Sequence, residues 1–262
     1  MFIFYQYICF KNILGKIFKF KFKTQKFKNI TFHFDNFYAF FALFNEIFIY
    51  NIYYFESSID NPVIVDCGGN IGISVIYFKY LYPKSIIHCY EPDRETFKIL
   101  EKNIKSNNLA NVKIYNKAVS GSNGELEFYS FGDMEGGTGN TLEKSQVNFS
   151  NINNYKVEVV KLSDIGLKHI NLLKIDIEGS EGKVFKDIDK SFINNIDRII
   201  LEYHYDEKIS DNKLSDIISV LENNNFHILI NINSFVTFYA YYSDFLRWNN
   251  KYVLMLNAFR NK

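Results

Sequence analysis

Asp66, the glycines at 68, 69 and 72, and Glu91 have the types and spacing to hold a nucleoside. Gly68 and Gly69 lack the Cβ that would keep backbone away from a ligand. A helix starting after Gly72 turns unsatisfied N–H groups toward the same space, with Asn70 inside the turn. Asp66, just before the glycines, suits a cationic ligand and would repel a pyrophosphate. Glu91 follows at close to the interval of about 20 residues at which an acid on a second strand grips ribose. Its carboxylate can accept from both the 2′ and 3′ hydroxyls of an adenosine. Downstream, Asp176, Glu178, Glu202 and His204 could handle a proton. Glu202 and His204 are two apart, so an extended chain presents them on one side. His204 is the natural proton acceptor near neutral pH. Asp176 could orient a cofactor or a substrate, and Lys174, two residues earlier, could neutralise it. Asp176, Glu202 and His204 could also take a divalent cation such as Mg²⁺ or Mn²⁺; the sequence leaves that open.

Such residues need a scaffold that gathers strand ends. Val63-Ile64-Val65 is an apolar run ending in Asp66, and Ile86 to Tyr90 is another ending in Glu91. Both read as buried parallel strands feeding loops and helices. Val112 to Tyr115 gives a third strand, with Asn116 and Ala118 at its carboxyl end. Leu172 to Ile175 gives the fourth, ending at Asp176, and Arg198 to Leu201 the fifth, ending at Glu202. Phe226 to Ile230 and Tyr252 to Leu256 supply the last two, the final one antiparallel. Apolar faces mark helices at Ile73 to Tyr80, Glu95 to Asn107 and Leu214 to Leu221. Alternating strands and helices predict an α/β fold with a mostly parallel sheet. Glu125 to Ser130 reads as a hairpin arm, and Val157 to Val160 as a short strand. Asp133 to Asn140, with three glycines, reads as a loop or lid, and residues 232–250 as an insertion.

Asn61-Pro62 marks the entry to a catalytic domain spanning 61–262, behind a basic and aromatic extension over 1–60. Lys19-Phe-Lys-Phe-Lys23 alternates as an edge strand would, its lysines guarding against unwanted pairing. Peripheral contact of residues 1–30 with an anionic membrane is the other reading of those lysines and aromatics. Asn36 to Phe55 reads as an amphipathic helix over the first strand. The formal charge of +1 offers nothing global to nucleic acid. Cys9, Cys67 and Cys89 have no metal spacing, and unpaired thiols suit a reducing cytoplasm.

Read as Asp-x-Gly-x-Asn-x-Gly, the turn from Asp66 resembles the first motif of class I S-adenosylmethionine-dependent methyltransferases. Asp66-Cys-Gly-Gly-Asn-Ile-Gly72, Tyr90-Glu-Pro-Asp93, Lys117-Ala-Val-Ser120 and Leu173-Lys-Ile-Asp-Ile-Glu-Gly-Ser-Glu181 follow in that order. Glu202-Tyr-His204 fits the same set. Over residues 60–231 the series resembles the FkbM family of methyltransferases. The resemblance implies a Rossmann-like class I fold, with a mostly parallel seven-stranded sheet and an antiparallel last strand. It also implies S-adenosylmethionine as cofactor, with Asn116 to Ala118 against adenine. The implied reaction is O-methylation of a sugar hydroxyl, in a glycan, or of a small metabolite. Cys67-Gly68-Gly69 stands where hydrophobic-Gly-Ala is more usual.

Nucleic-acid amino-methylation would call for Asn/Asp-Pro-Pro-aromatic after the fourth strand, where this chain has Asp176-Ile-Glu-Gly. A nicotinamide dehydrogenase is disfavoured by the glycine spacing. The competing reading is a non-catalytic S-adenosylmethionine-binding or membrane-associated module. Retention of Asp66, Glu91 and Asp176 together speaks against it.

Overall fold

The computed structural model describes residues 22–130, 141–143, 153–232 and 251–260. At the N-terminal side, β1 (Thr24–Phe27) and β2 (Ile30–His33) form an antiparallel hairpin. Helix α1 (Phe37–Phe44) follows, capped by Asn36, whose side chain accepts from the backbone N–H groups of Tyr38 and Ala39. It runs on into a wider π-helical turn over Asn45–Ile49. Among the described residues strand pairing begins at Thr24; residues 19–21 of the expected edge strand at Lys19 to Lys23 lie outside the described part. The expected helix over Asn36 to Phe55 stops at Ile49, and the chain then runs irregularly to β3.

Strands and helices then alternate as β3 (Val63–Cys67), α2 (Ile73–Leu81), β4 (Ile86–Tyr90), α3 (Arg94–Ser106) and β5 (Val112–Tyr115). Three strands come next: β6 (Ala118–Ser120), β7 (Gly124–Ser130) and β8 (Asn153–Lys161). The second half contributes β9 (Leu172–Ile175), α4 (Glu181–Lys186), α5 (Lys190–Ile193), β10 (Arg198–Asp206), α6 (Leu214–Asn223), β11 (His227–Ile232) and β12 (Lys251–Phe259). Seven strands form one sheet in the order β11-β12-β10-β9-β3-β4-β5. Only β12 runs against its neighbours there, as expected of the final strand. A second sheet, β6-β8-β7, lies beyond β5 in sequence; β7, the expected hairpin arm, pairs antiparallel with β8.

Side chains alternate across the large sheet with period 2. Ile64, Ile87, Leu172 and Ile200 enter one core, and Val65, Leu173, Ile199 and Leu201 enter the other. The first core also takes in the N-terminal segment. Phe44 stacks on Phe48 at 4.9 Å, and Phe48 meets the edge of Tyr77 from α2 at 5.2 Å. Strand β2 is fastened to α3 through side chains. Asn103 accepts from His33 N at 2.7 Å and donates to His33 O at 2.9 Å; Asn107 does the same with Thr31. Two asparagines one helical turn apart thus serve as a neighbouring strand would. Among the described residues no helix is long and apolar enough to cross a membrane.

Candidate active site

The carboxyl ends of β3, β4 and β9 open into a shared crevice. Gly68, Asn70, Glu91, Ala118, Asp176, Ile177 and Glu178 line it. Val119, Phe128 and Leu142 form an apolar wall. The turn after β3 is held by its own backbone. Gly68 N and Gly69 N both donate to Tyr90 O, and Asn70 adopts a left-handed φ of 47°. Glu91 ties the loop to α3: one oxygen accepts from Asn70 N and the other from Asp93 N, each at 2.8 Å. Burial raises the Glu91 carboxyl to about 8, against the pull of these two N–H groups.

Four residues expected to hold a cofactor are placed elsewhere. Asp66 is fully buried behind the loop, where Lys174 pairs with it at 3.1 Å and the Ser74 hydroxyl donates to it at 2.5 Å. It therefore answers an internal cation and not a ligand. Gly69 packs on Cys89, whose sulfur would lie 2.1 Å from an added Cβ. Gly72 caps α2 at φ 88° and packs on Leu100, 2.6 Å from where a Cβ would stand. Asn116 turns back, donating to Glu91 O and Pro92 O and so fixing the turn that carries Glu91. Gly68 does line the crevice, yet close packing also demands it: at φ +85°, a Cβ would fall 1.8 Å from Asp176 O.

The second set converges because β9 and β10 are in register. Leu201 lies beside Ile175, which brings Glu202 next to Asp176. Both Glu202 and His204 lie inside β10, which continues to Asp206, and not at its end as expected. His204 Nε2 is 3.5 Å from Glu178, 3.9 Å from Glu202 and 4.0 Å from Asp176. Its Nδ1 lies 3.0 Å from Glu181, a fully buried carboxylate also held by Asn212 and Gly179 N. Burial works against the imidazolium, but Glu178, Glu181 and Glu202 outweigh it and raise His204 well above the usual imidazole range. The surrounding carboxylates favour the imidazolium, which weighs against the expected role of His204 as a ready proton acceptor while no cation occupies the cluster. Glu202 is also raised well above the carboxylate range, by burial and then by Asp176.

Lys174, Tyr53 and Glu46 complete the cluster. Burial disfavours the Lys174 ammonium, yet Asp66 and Asp176 reverse this and hold it charged. The Tyr53 hydroxyl lies 3.1 Å from Asp176 Oδ2 and 3.2 Å from Glu202 Oε2. Its ring carries Lys174 Nζ 5.1 Å from the centroid. Neither Tyr53 nor Glu46 was singled out from sequence as a site residue; both come from an aromatic stretch in which no spacing distinguishes them. Glu181 stands within the Asp176-to-Glu181 motif and could have been suspected there.

Burial, then Asp176 and Glu178, raise Glu46 to about 7. The folded protein therefore holds a proton that the unfolded chain gives up near the usual carboxylate value. Stability from this group is present below that value and is lost as pH rises through about 7. Urea midpoints should accordingly fall between pH 5 and 8, and Glu46→Gln should flatten that slope. An unchanged slope in the variant would remove Glu46 as its source.

Thr141 donates to Glu178 O at 2.7 Å, and Glu143 takes Lys183 and the Ser180 hydroxyl. Residues 141–143 thereby lie against the Glu178 turn. The expected lid at Asp133 to Asn140, and the 232–250 insertion beyond Ile232, lie outside the described residues.

A family model described as "Methyltransferase FkbM domain" matches residues 66–228. The chain belongs to the FkbM methyltransferase family. Membership makes it a methyltransferase, hence a transferase enzyme, with the Rossmann-like class I fold. Among similar proteins, "Methyltransferase 1" of Beauveria bassiana is 29% identical over 175 residues, covering 60% of this chain and 70% of that protein. The "2-O-methyltransferase NoeI" of Sinorhizobium fredii is 28% identical over 138 residues, covering 47% of this chain and 56% of that protein. A crystal structure of a methyltransferase FkbM from Methylobacillus flagellatus KT superposes with a TM-score of 0.50 at 16% identity. That match covers 84% of this chain but spans only 54% of the other.

Proposed function

We propose that this chain is an S-adenosylmethionine-dependent O-methyltransferase acting on a hydroxyl of a sugar, a glycan or a small metabolite. The observation that carries this reading is one crevice with two chemistries. Gly68, Asn70, Glu91 and Ala118 share its lining with Asp176 and Glu178; we read the Glu91 side as the nucleoside end and the Asp176 side as the acceptor end. The first end suits a nucleoside: flat loop backbone at Gly68, a carboxylate for ribose hydroxyls, and the apolar Ala118–Val119 edge for a base. S-adenosylmethionine would supply the methyl group and its own leaving group there.

At the other end, the residues of the chain must align a hydroxyl and take its proton. Asp176 is the better placed acceptor. It lines the crevice, is partly exposed, and has Lys174 and Tyr53 on its far side to steady a charge. Glu178 is the other carboxylate open to the crevice. His204 and Glu202, both largely buried, sit behind them and shape their positions. The name of one relative, a 2-O-methyltransferase, supports oxygen as the acceptor atom.

Calorimetry with S-adenosylmethionine and with NAD tests the cofactor. Glu91→Ala should weaken S-adenosylmethionine about 10- to 100-fold, the loss of hydrogen bonds to a charged group. Ribose hydroxyls donate to the ionised carboxylate, so affinity should also rise with pH toward about 8. Unchanged affinity in the variant, or tighter binding of NAD, would end the proposal. Screening nucleotide sugars and glycans with a methyl-labelled donor identifies the acceptor. A reducing cytoplasm fits Cys67 and Cys89, which are free and buried. Membrane contact through residues 1–30 remains a reading of their lysines and aromatics alone; residues 1–21 lie outside the described part.

A further inference from the structure

We propose that Asp176, Glu202 and His204 form a site for one divalent cation, of the Mn²⁺ class, at the acceptor end of the crevice. It rests on the proposed reaction only for its purpose, which would be to hold and polarise the acceptor hydroxyl. The site itself rests on geometry. One ligand atom from each residue lies within 4.8 Å of the others, the span of two opposed bonds of about 2.1–2.4 Å.

Two further observations aim these atoms at one point. Tyr53 engages Asp176 Oδ2 and Glu202 Oε2. The other oxygens, Asp176 Oδ1 and Glu202 Oε1, are the ones that face His204 Nε2, at 4.0 and 3.9 Å. These separations exceed hydrogen-bond length and suit ligands around a shared ion. The imidazole is also fixed from behind. Buried Glu181 engages Nδ1 at 3.0 Å and is itself held by Asn212 and Gly179 N, so Nε2 is presented to the carboxylates. A carboxylate that pins the far nitrogen of a histidine is the usual outer shell of a metal-ligating imidazole. Charge agrees. Lys174 is the cation behind this cluster, and it is shared with Asp66, while Glu178 stands beside His204 as a further carboxylate. Two carboxylate oxygens and one imidazole suit Mn²⁺ better than a soft-metal site built on thiolates.

The test uses the full chain, without cofactor, titrated with MnCl₂ and followed by electron paramagnetic resonance. The six-line signal of the free aqueous ion should vanish up to one equivalent. Pulsed spectra of the bound ion should show coupling to one imidazole nitrogen, a readout that needs no variant. Asp176→Asn and His204→Gln should each weaken binding by at least about tenfold, and Glu181→Gln, which removes only the outer support, by about 10- to 100-fold. Glu91→Ala should bind Mn²⁺ normally even where it no longer binds S-adenosylmethionine, which separates this proposal from the cofactor assignment. A persistent free-ion signal at millimolar protein, bound ion without nitrogen coupling, or affinity unaltered in folded Asp176→Asn would each overturn the site.

Discussion

Lys174→Met is expected to lower the melting temperature by about 10 °C or more. Lys174 is 1% exposed and lies opposite Asp66, which is fully buried, in the parallel register of β3 and β9. Its ammonium also donates to Gly68 O at 2.6 Å and stands 3.4 Å from Asp176. Methionine keeps much of the volume but leaves the buried Asp66 carboxyl with no cation beside it. Removing one partner of a buried pair costs about 3–5 kcal/mol, and each kcal/mol moves the midpoint of a domain this size by about 2–4 °C. Adding Asp66→Asn should recover much of the loss, because the orphaned charge goes with it. Scanning calorimetry on both variants decides the matter. A single variant as stable as the parent would mean that the pair contributes nothing to the fold.

For chemistry, Asp176→Asn should have the largest effect, reducing turnover by about 10²- to 10⁴-fold, the range for loss of a positioned proton acceptor, and the loss should persist at saturating Mn²⁺, which separates it from weakened cation binding. Asparagine preserves the shape and can still meet the Tyr53 hydroxyl, so the crevice and the glycine loop should persist. Affinity for S-adenosylmethionine, gripped at the Glu91 end, should change little. Single-turnover transfer from a methyl-labelled donor, beside calorimetric affinity, separates the two steps. Transfer within tenfold of the parent would shift the proton-accepting role to Glu178.

The sequence carried the sheet well, because parallel strands buried on both faces announce themselves as apolar runs. Leu172 to Ile175 ends where its apolar run meets Asp176, and Val63 to Cys67 runs one residue past Asp66. Strand β10 was legible only in part. Its second half carries Glu202, His204 and Asp206, which break the apolar signal, while pairing with β12 continues from Arg198 through Asp206. The glycine turn was legible as a turn, but the reason for its glycines was not. Pressure on Gly69 and Gly72 comes from Cys89 and Leu100, residues whose approach depends on the folded packing. His204 was placed correctly beside Glu202, but its charge depends on how many carboxylates the fold gathers round it. Tyr53 carried no signal, since one tyrosine in a segment crowded with phenylalanine and tyrosine has no distinguishing neighbour.

The asparagine clasp between α3 and β2 bears on the order of events at the ribosome. Thr31 and His33 meet their partners only at Asn103 and Asn107, some seventy residues later in synthesis. The leading aromatic segment must therefore wait, with its rings uncovered, until the first two βα units have emerged to receive it. That interval is when the nascent chain is most exposed to self-association and has most need of a chaperone.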